Sequence, residues 1–268
     1  MKPNLYQRLQ YRFQRRTIQA GAVNDIWGVD LIDMNSEKLS KSGYIINAID
    51  IHSRYAQSVR LHTKNKNDVA EAFNELFDLF GAKPKRVFSD MEGAIVGLSD
   101  WLKSQSIELY HVQNSYNGPD THSVSIVERF NRTMRERMME YKTELKNRNW
   151  NQLITYTINN FIPEYNARVH STIGTTPEDA YRGDIDVKHM HEEREAKIKK
   201  APKQHLKVGD IVYLQKPKEI IRGKKETKYY DTPEEIAGVK DTNPTTYTLK
   251  GHGETGYYRQ QFILPNEK

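Results

Sequence analysis

Residues 26–34 read IWGVDLIDM and residues 44–51 read YIINAIDI. Each is a short apolar run interrupted by carboxylates and bounded by polar or glycine-containing turns, so each reads as a strand. Gln57–Leu61 supplies a third, and the short connections predict hairpins. Downstream, Val69, Phe73, Leu76, Phe77 and Phe80 recur at helical spacing, with Asn67 or Asp68 placed to cap the helix and Gly81 to end it. Arg86–Asp90, a short helix Ala94–Lys103 and a strand Glu108–Val112 complete the order β-β-β-α-β-α-β. A polar loop, Gln113–His122, leads to a long helix from Ser123 or Ser125, where Ser125 and Glu128 have capping-box spacing. Its apolar stripe is Val127, Phe130, Met134, Met138, Tyr141 and Leu145. A further helix spans Trp150–Ala167, and Thr176-Pro177 opens a last short one. The fold class is α/β.

After Gly183 the character changes. Residues 184–204 are charge-rich, a linker or an exposed helix. Val208-Gly209-Asp210 then leads into Ile211–Leu214, with Thr245–Leu249 and Tyr257–Leu264 following, which suggests a small all-β barrel. Tyr213, Tyr247, Tyr257 and Tyr258 belong to its core or rim rather than to a base-stacking platform. A length of 268 residues fits a large domain plus such a module.

The chain carries 41 basic and 35 acidic residues, for a net charge of +6, with 37% hydrophobic residues, the balance of a soluble folded protein. The basic residues cluster. Residues 1–24 hold Lys2, Arg8, Arg12, Arg15 and Arg16 and no acid, while residues 129–148 and 188–207, the latter including Lys199 and Lys200, each hold seven basic and three acidic residues. Any one segment reads as a solvated face, but three together point to a polyanionic partner. No apolar run approaches the ~20 residues of a membrane span, and MKPNLYQRLQYRFQRR lacks a secretory core, so an intracellular location without membrane association is expected. Cysteine is absent. That excludes disulfides and thiolate zinc sites, so a metal would be held by carboxylates or imidazoles, which favours Mg²⁺ or Mn²⁺ over zinc.

Three carboxylates stand out by position. Asp30 lies inside an apolar strand, where a carboxylate must be paired, protonated or metal-bound. Alternation puts it with Gly28 and Ile32, and puts Asp33 on the other face with Val29 and Leu31, so the two do not share a metal site on a regular strand. Asp90 ends a strand, where open α/β sheets place ligands. Glu128 lies beside the stripe of the long helix, with Asn131, Arg132 and Arg135 following on the same side; this suits a metal flanked by phosphate contacts, or equally a capping glutamate with a surface ion pair. His111, His122 and His170 lack the paired spacing of metal ligands.

Trp27 and Asp30 within IWGVDLIDM, Asp90 within RVFSDMEGA and Glu128 within SIVERFNRTMRERM resemble the Asp-Asp-Glu triad of the retroviral-type integrase and transposase superfamily. YNARVHSTIGTTPEDAYRGD, residues 165–184, resembles the stretch closing that catalytic core, and VGDIVYL with NPTTYTLKGHGETGYYRQQFIL resembles its SH3-like carboxyl-terminal module. The whole set, with the lead-in LYQRLQYRFQRR, is most similar to integrases of Maverick/Polinton transposons and virophages. Between Asp90 and Glu128 lie 37 residues, slightly more than the family spacing, and the surplus falls to Gln113–His122. Met91-Glu92-Gly93 also departs from the family's usual turn, and the family's zinc module has no counterpart in residues 1–24.

The resemblance implies a basic extension (1–24), a ribonuclease-H-like core with a mixed five-stranded sheet (25–183), a charged linker (184–204) and an SH3-like DNA-binding module (205–268). It implies two Mg²⁺ or Mn²⁺ ions on Asp30, Asp90 and Glu128, with Asp30 bridging, and in-line phosphoryl transfer that trims element-end DNA and joins it to target DNA in the host nucleus. Tyr116 and Asn117 would approach DNA, or simply form a turn, and Arg132 and Arg135 would hold phosphate, as would the basic faces of residues 1–24 and 188–207. Joining two ends implies a homo-oligomer, dimer or tetramer. A plain metal-dependent nuclease and a non-catalytic DNA- or chromatin-binding descendant remain the alternatives.

Overall fold

The structure is a computed structural model that describes residues 3–7, 20–34, 43–89, 93–111, 125–145, 149–187, 206–216, 226–241 and 244–265. These fall into two compact units, one holding the described residues from 20 to 187, the other residues 3–7 with those from 206 onward.

In the first unit, β1 (Ile26–Asp33), β2 (Tyr44–Asp50) and β3 (Ala56–Leu61) form the expected antiparallel hairpins, and β4 (Arg86–Ser89) and β5 (Glu108–His111) join in parallel, giving the order β3-β2-β1-β4-β5. The central strand β1 is apolar on both faces because both are covered. Trp27, Val29 and Leu31 pack against Val69, Phe73 and Leu76 of helix α1 (Lys66–Phe80). Ile26 and Ile32 pack with Val127, Phe130 and Met134 of helix α4 (Ser125–Glu144) and with Ile154 and Phe161 of helix α5 (Trp150–Ala167). Alternation thus decides which helix each strand residue meets.

Caps follow local chemistry. The cap of α1 is Asn65, not Asn67 or Asp68: Asn65 is extended and its side chain accepts from Asp68 N at 2.8 Å, whereas Asn67 and Asp68 already lie within the helix. Gly81 ends α1 at φ +66°, as the sequence suggests. The helix expected at Ala94–Lys103 divides into α2 (Gly93–Val96) and α3 (Ser99–Ser104), separated at Gly97-Leu98, where a glycine weakens helical continuity. Asn149 and Gln152 form a capping box that opens α5. Helix α6 (Pro177–Arg182) has Thr176 as cap, proline in its first turn and Gly183 at φ +83°.

The segment YNARVHST explains itself in part. Asn166 donates its Nδ2 to Ala56 O at 2.9 Å and accepts from Ala56 N at 3.0 Å, so a side chain from α5 completes the pairing of edge strand β3 where no strand continues the sheet. Tyr181 of α6 hydrogen-bonds with Phe80 O at 2.8 Å and Asn24 Oδ1 at 3.1 Å, and stacks on Tyr55. Its burial among these groups pushes the phenol pKa up to about 12.

The second unit is one five-stranded antiparallel sheet, ordered β10-β6-β7-β8-β9, from β6 (Ile211–Gln215), β7 (Tyr229–Lys240), β8 (Thr246–Leu249), β9 (Gly256–Tyr258) and β10 (Phe262–Ile263). The expected strand Tyr257–Leu264 is interrupted by a 3-10 turn at Arg259–Gln261, and β7 lay outside the strands read from sequence. Tyr213, Tyr247, Tyr257 and Tyr258 are all buried, as expected of core residues. Leu5 packs on Tyr213, Tyr229 and Ile263, and its carbonyl accepts from Lys228 N at 2.7 Å. Residues 3–7 are therefore built into the module formed by the described residues from 206 onward. No described helix is long and apolar enough to cross a membrane.

Candidate active site

Asp30 sits on the face of β1 that meets α4, and Asp33 on the opposite one, as alternation requires. Two features bring α4 close at this point. Gly28 leaves room: a Cβ there would stand 3.3 Å from Ile51 Cδ1 and 3.6 Å from Val127 Cβ, so the missing side chain lets the first turn of α4 rest on the strand. The second feature is polar. Asn131 of α4, buried within the apolar stripe, donates its Nδ2 to Asp30 Oδ2 at 2.6 Å. Glu128 lies one helical turn before Asn131 and is exposed, so the bond that anchors α4 to Asp30 also holds the turn bearing Glu128 near the same strand.

The contact continues inward. Asn131 Oδ1 accepts from Asn47 Nδ2 at 2.6 Å, and Asn47 Oδ1 accepts from Ser58 Oγ at 2.5 Å. Asn47 is opposite Asp30 on β2, and Ser58 is opposite Asn47 on β3, so a polar row crosses three strands beneath α4. Asn47 is fully buried, and Asn131 and Ser58 nearly so. Sequence reading placed Asn131 with Arg132 and Arg135 on the Glu128 side; in the structure it turns into the core, while Arg132 and Arg135 are exposed. The available signal was the one that singled out Asp30, a polar residue inside an apolar pattern, and it was present at Asn47 and Asn131 too.

Asp30 Oδ1 accepts from Leu31 N at 2.8 Å. An ionised carboxylate accepts through about four lone-pair sites and is a ligand type that binds cations. Asp30 and Glu128 are hard oxygen donors, as Mg²⁺ or Mn²⁺ prefers. Asp90 lies outside the described residues, as do Tyr116, Asn117, Arg12, Arg15, Arg16, Lys199, Lys200 and His122. Among the described residues no group of three His, Cys, Asp or Glu side chains converges as a metal cage. His170 turns its Nδ1 to the backbone N–H of Thr172 at 3.2 Å, a local turn contact.

The most buried carboxylate of the sheet is a different one. Asp50 accepts from Ser53 N and Ser53 Oγ at 2.7 Å each and from Asn24 N at 2.8 Å, fastening the turn between β2 and β3. Burial raises its pKa despite those bonds. Nearby, Lys85 pairs with Asp25 at 2.7 Å and holds that carboxyl below its ordinary range. On the far half of α4, Arg137 pairs with Glu140 at 2.7 Å and with Glu164 of α5, locking the two helices together.

A chain from the simian T-cell lymphotropic virus intasome, solved in complex with the PP2A regulatory subunit B56 gamma, matches with a TM-score of 0.61 over 96% of this chain and 82% of that one, at 14% identity. The two chains share a fold. The HTLV-2 integrase catalytic core domain in complex with magnesium matches with a TM-score of 0.48, covering 61% of this chain and 99% of that one at 17% identity. In sequence, an uncharacterized transposon-derived protein of Caenorhabditis elegans is 30% identical over 144 residues, 53% of this chain and 47% of that protein. The Retrovirus-related Pol polyprotein from transposon 297 of Drosophila melanogaster is 27% identical over 232 residues, 83% of this chain and 20% of the polyprotein. The chain thus spans about half the length of the first relative and a fifth of the second. It is homologous to transposon and retrovirus-related Pol sequences, and no protein-family model matches it.

Proposed function

We propose that the chain is a DNA integrase that processes element-end DNA and joins it to target DNA. The observation that carries this reading is the placement of Asp30 at the centre of a mixed sheet, hydrogen-bonded to the helix that presents Glu128 one turn away. Asp30, Asp90 and Glu128 are the residues that would hold two Mg²⁺ or Mn²⁺ ions. When bound, such ions supply a lowered water pKa and stabilise the leaving oxygen of an in-line displacement. The chain's own contribution is positioning: β1 and α4 hold two of the carboxylates on rigid elements, and exposed Arg132 and Arg135 lie along α4 to receive phosphates.

In this reading residues 1–24 are a basic extension, 25–183 the catalytic core, 184–204 a linker and 205–268 an SH3-like DNA-binding module. Arg12, Arg15, Arg16, Lys199 and Lys200 add phosphate contacts, and Tyr116 and Asn117 approach DNA from the loop before α4. The enzyme acts as a homodimer or homotetramer in the host nucleus, in an element of the Maverick/Polinton or virophage kind.

The experiment is a strand-transfer assay with Mg²⁺ or Mn²⁺, labelled element ends and a plasmid target. Joined products are expected from the wild type and none from Asp30→Asn, Asp90→Asn or Glu128→Gln. Full joining by any of the three variants refutes the site. Cutting without joined products favours a plain nuclease, and neither activity, with no metal-dependent rise in melting temperature, favours a DNA-binding descendant.

A further inference from the structure

The row Ser58, Asn47, Asn131, Asp30 has a direction, and the chemistry at one end sets it. An ionised carboxylate only accepts, so Asn131 must turn its NH₂ toward Asp30 and its carbonyl oxygen toward Asn47. Asn47 must then offer its own NH₂ to Asn131 and its oxygen to Ser58. Ser58 is the only member whose group can donate or accept, and it donates. No link can be reversed alone without facing two donors or two acceptors across 2.6 Å.

These groups lie in a sheet and helix interface built mainly of Ile, Val, Phe and Met. Two amides and a hydroxyl there are costly to desolvate if unpaired, and apolar side chains of similar size would fill the same space. Packing alone therefore does not account for them. We propose that Asn47 and Ser58 are positioning residues for the active site: they hold the Asn131 amide in the orientation that the Asp30 carboxylate selects, and so support the rotamer of Asp30 and the seating of the turn that carries Glu128. Neither reaches substrate or reacting atoms. The inference rests on the integrase reading for its catalytic consequence, while the orientation of Asn131 does not depend on it.

The test uses the full chain with Asn47→Leu, Ser58→Ala and Ser58→Thr. Asn47→Leu keeps the volume but removes the donor that holds Asn131 Oδ1. Side-chain amide NMR without metal reads the orientation directly. In the wild type one Asn131 Nδ2 proton is shifted downfield by the carboxylate and exchanges slowly with solvent, and Asn47→Leu should lose both signatures. In the joining assay, kcat should fall tenfold or more in Asn47→Leu with KM for DNA unchanged. Ser58→Ala should fall between the two, and Ser58→Thr, which keeps the hydroxyl, should restore wild-type behaviour.

An Asn131 amide spectrum unchanged by Asn47→Leu overturns the proposal whether or not the chain joins DNA. A variant that melts lower but keeps its kcat overturns the catalytic half and leaves a structural row. If the wild type itself neither joins DNA nor responds to Mn²⁺, the integrase reading fails, and the amide spectra still decide whether Asn47 and Ser58 orient Asn131.

Discussion

Gly28 is the position where one added atom tests how closely α4 rests on β1. A Cβ at Gly28 would lie 3.3 Å from Ile51 Cδ1, 3.5 Å from Ile49 Cγ2 and 3.6 Å from Val127 Cβ. Only the first is tight, and it is the free end of an isoleucine. Gly28→Ala should therefore fit after a shift of a few tenths of an ångström, and lower entropy in the unfolded chain offsets that strain, leaving stability within about 1 kcal/mol of wild type. Gly28→Val adds two methyls reaching roughly 1.5 Å beyond Cβ. With Ile49, Ile51 and Val127 already at contact, the overpacking should cost about 1–3 kcal/mol. For a unit of this size that lowers Tm by about 2–12 °C.

The assay is selective because all three tryptophans, Trp27, Trp101 and Trp150, belong to the first unit, so their fluorescence follows that unit alone. Joining activity should fall further in Gly28→Val than stability does, since Glu128 follows Val127 and shifts with it. A Gly28→Val protein that melts with the wild type, or a Gly28→Ala protein that loses as much as Gly28→Val, refutes the close-approach argument.

Other expectations follow from single contacts. Asn166→Ala strands the N–H and C=O of Ala56 and should cost about 1–3 kcal/mol in chemical denaturation; a neutral result means water replaces the amide. Tyr181→Phe should cost about 0.5–1.5 kcal/mol by the same measurement, and no loss would mean its hydroxyl bonds are not net stabilising. The raised folded pKa of Asp50 contributes stability that is complete below its ordinary value of 3.8 and is lost as pH rises through the folded value. The wild type should thus lose stability relative to Asp50→Asn on going upward from pH 3.8, and parallel pH profiles would rule the mechanism out. Arg132→Ala and Arg135→Ala should each reduce the salt slope of DNA binding by about 1, and an unchanged slope places phosphate elsewhere.

Most of the first unit was legible because periodicity there reports burial directly. Helices α1, α4 and α5 each bury one face at helical spacing, while β1 and β2, buried on both faces, read as short continuous apolar runs. What escaped did so for definable reasons. In the second unit β7 reads YYDTPEEIAGVK, mostly exposed and containing Pro233, so its extended form comes from pairing with β6 and β8 rather than from alternation. The cap of α1 was misplaced because NKND offers three eligible residues and only backbone conformation chooses among them.

At the candidate site, Asp30 was legible because a carboxylate in an apolar strand demands an explanation. Asn47 and Asn131 broke their patterns in the same way. An amide provokes less suspicion than a charge, and nothing in one sequence reveals that positions 47 and 131 face each other.

The docking of Leu5 on Tyr213, Tyr229 and Ile263 makes the second unit discontinuous, with the first unit inserted within it. During synthesis residues 3–7 precede every other described residue and find their partners last. The inserted unit can complete its sheet and helices while the module that brackets it still lacks all of its strands. A cut between the units would leave the module as two separate peptides, so limited proteolysis should release the inserted unit as a stable fragment more readily than the module that surrounds it.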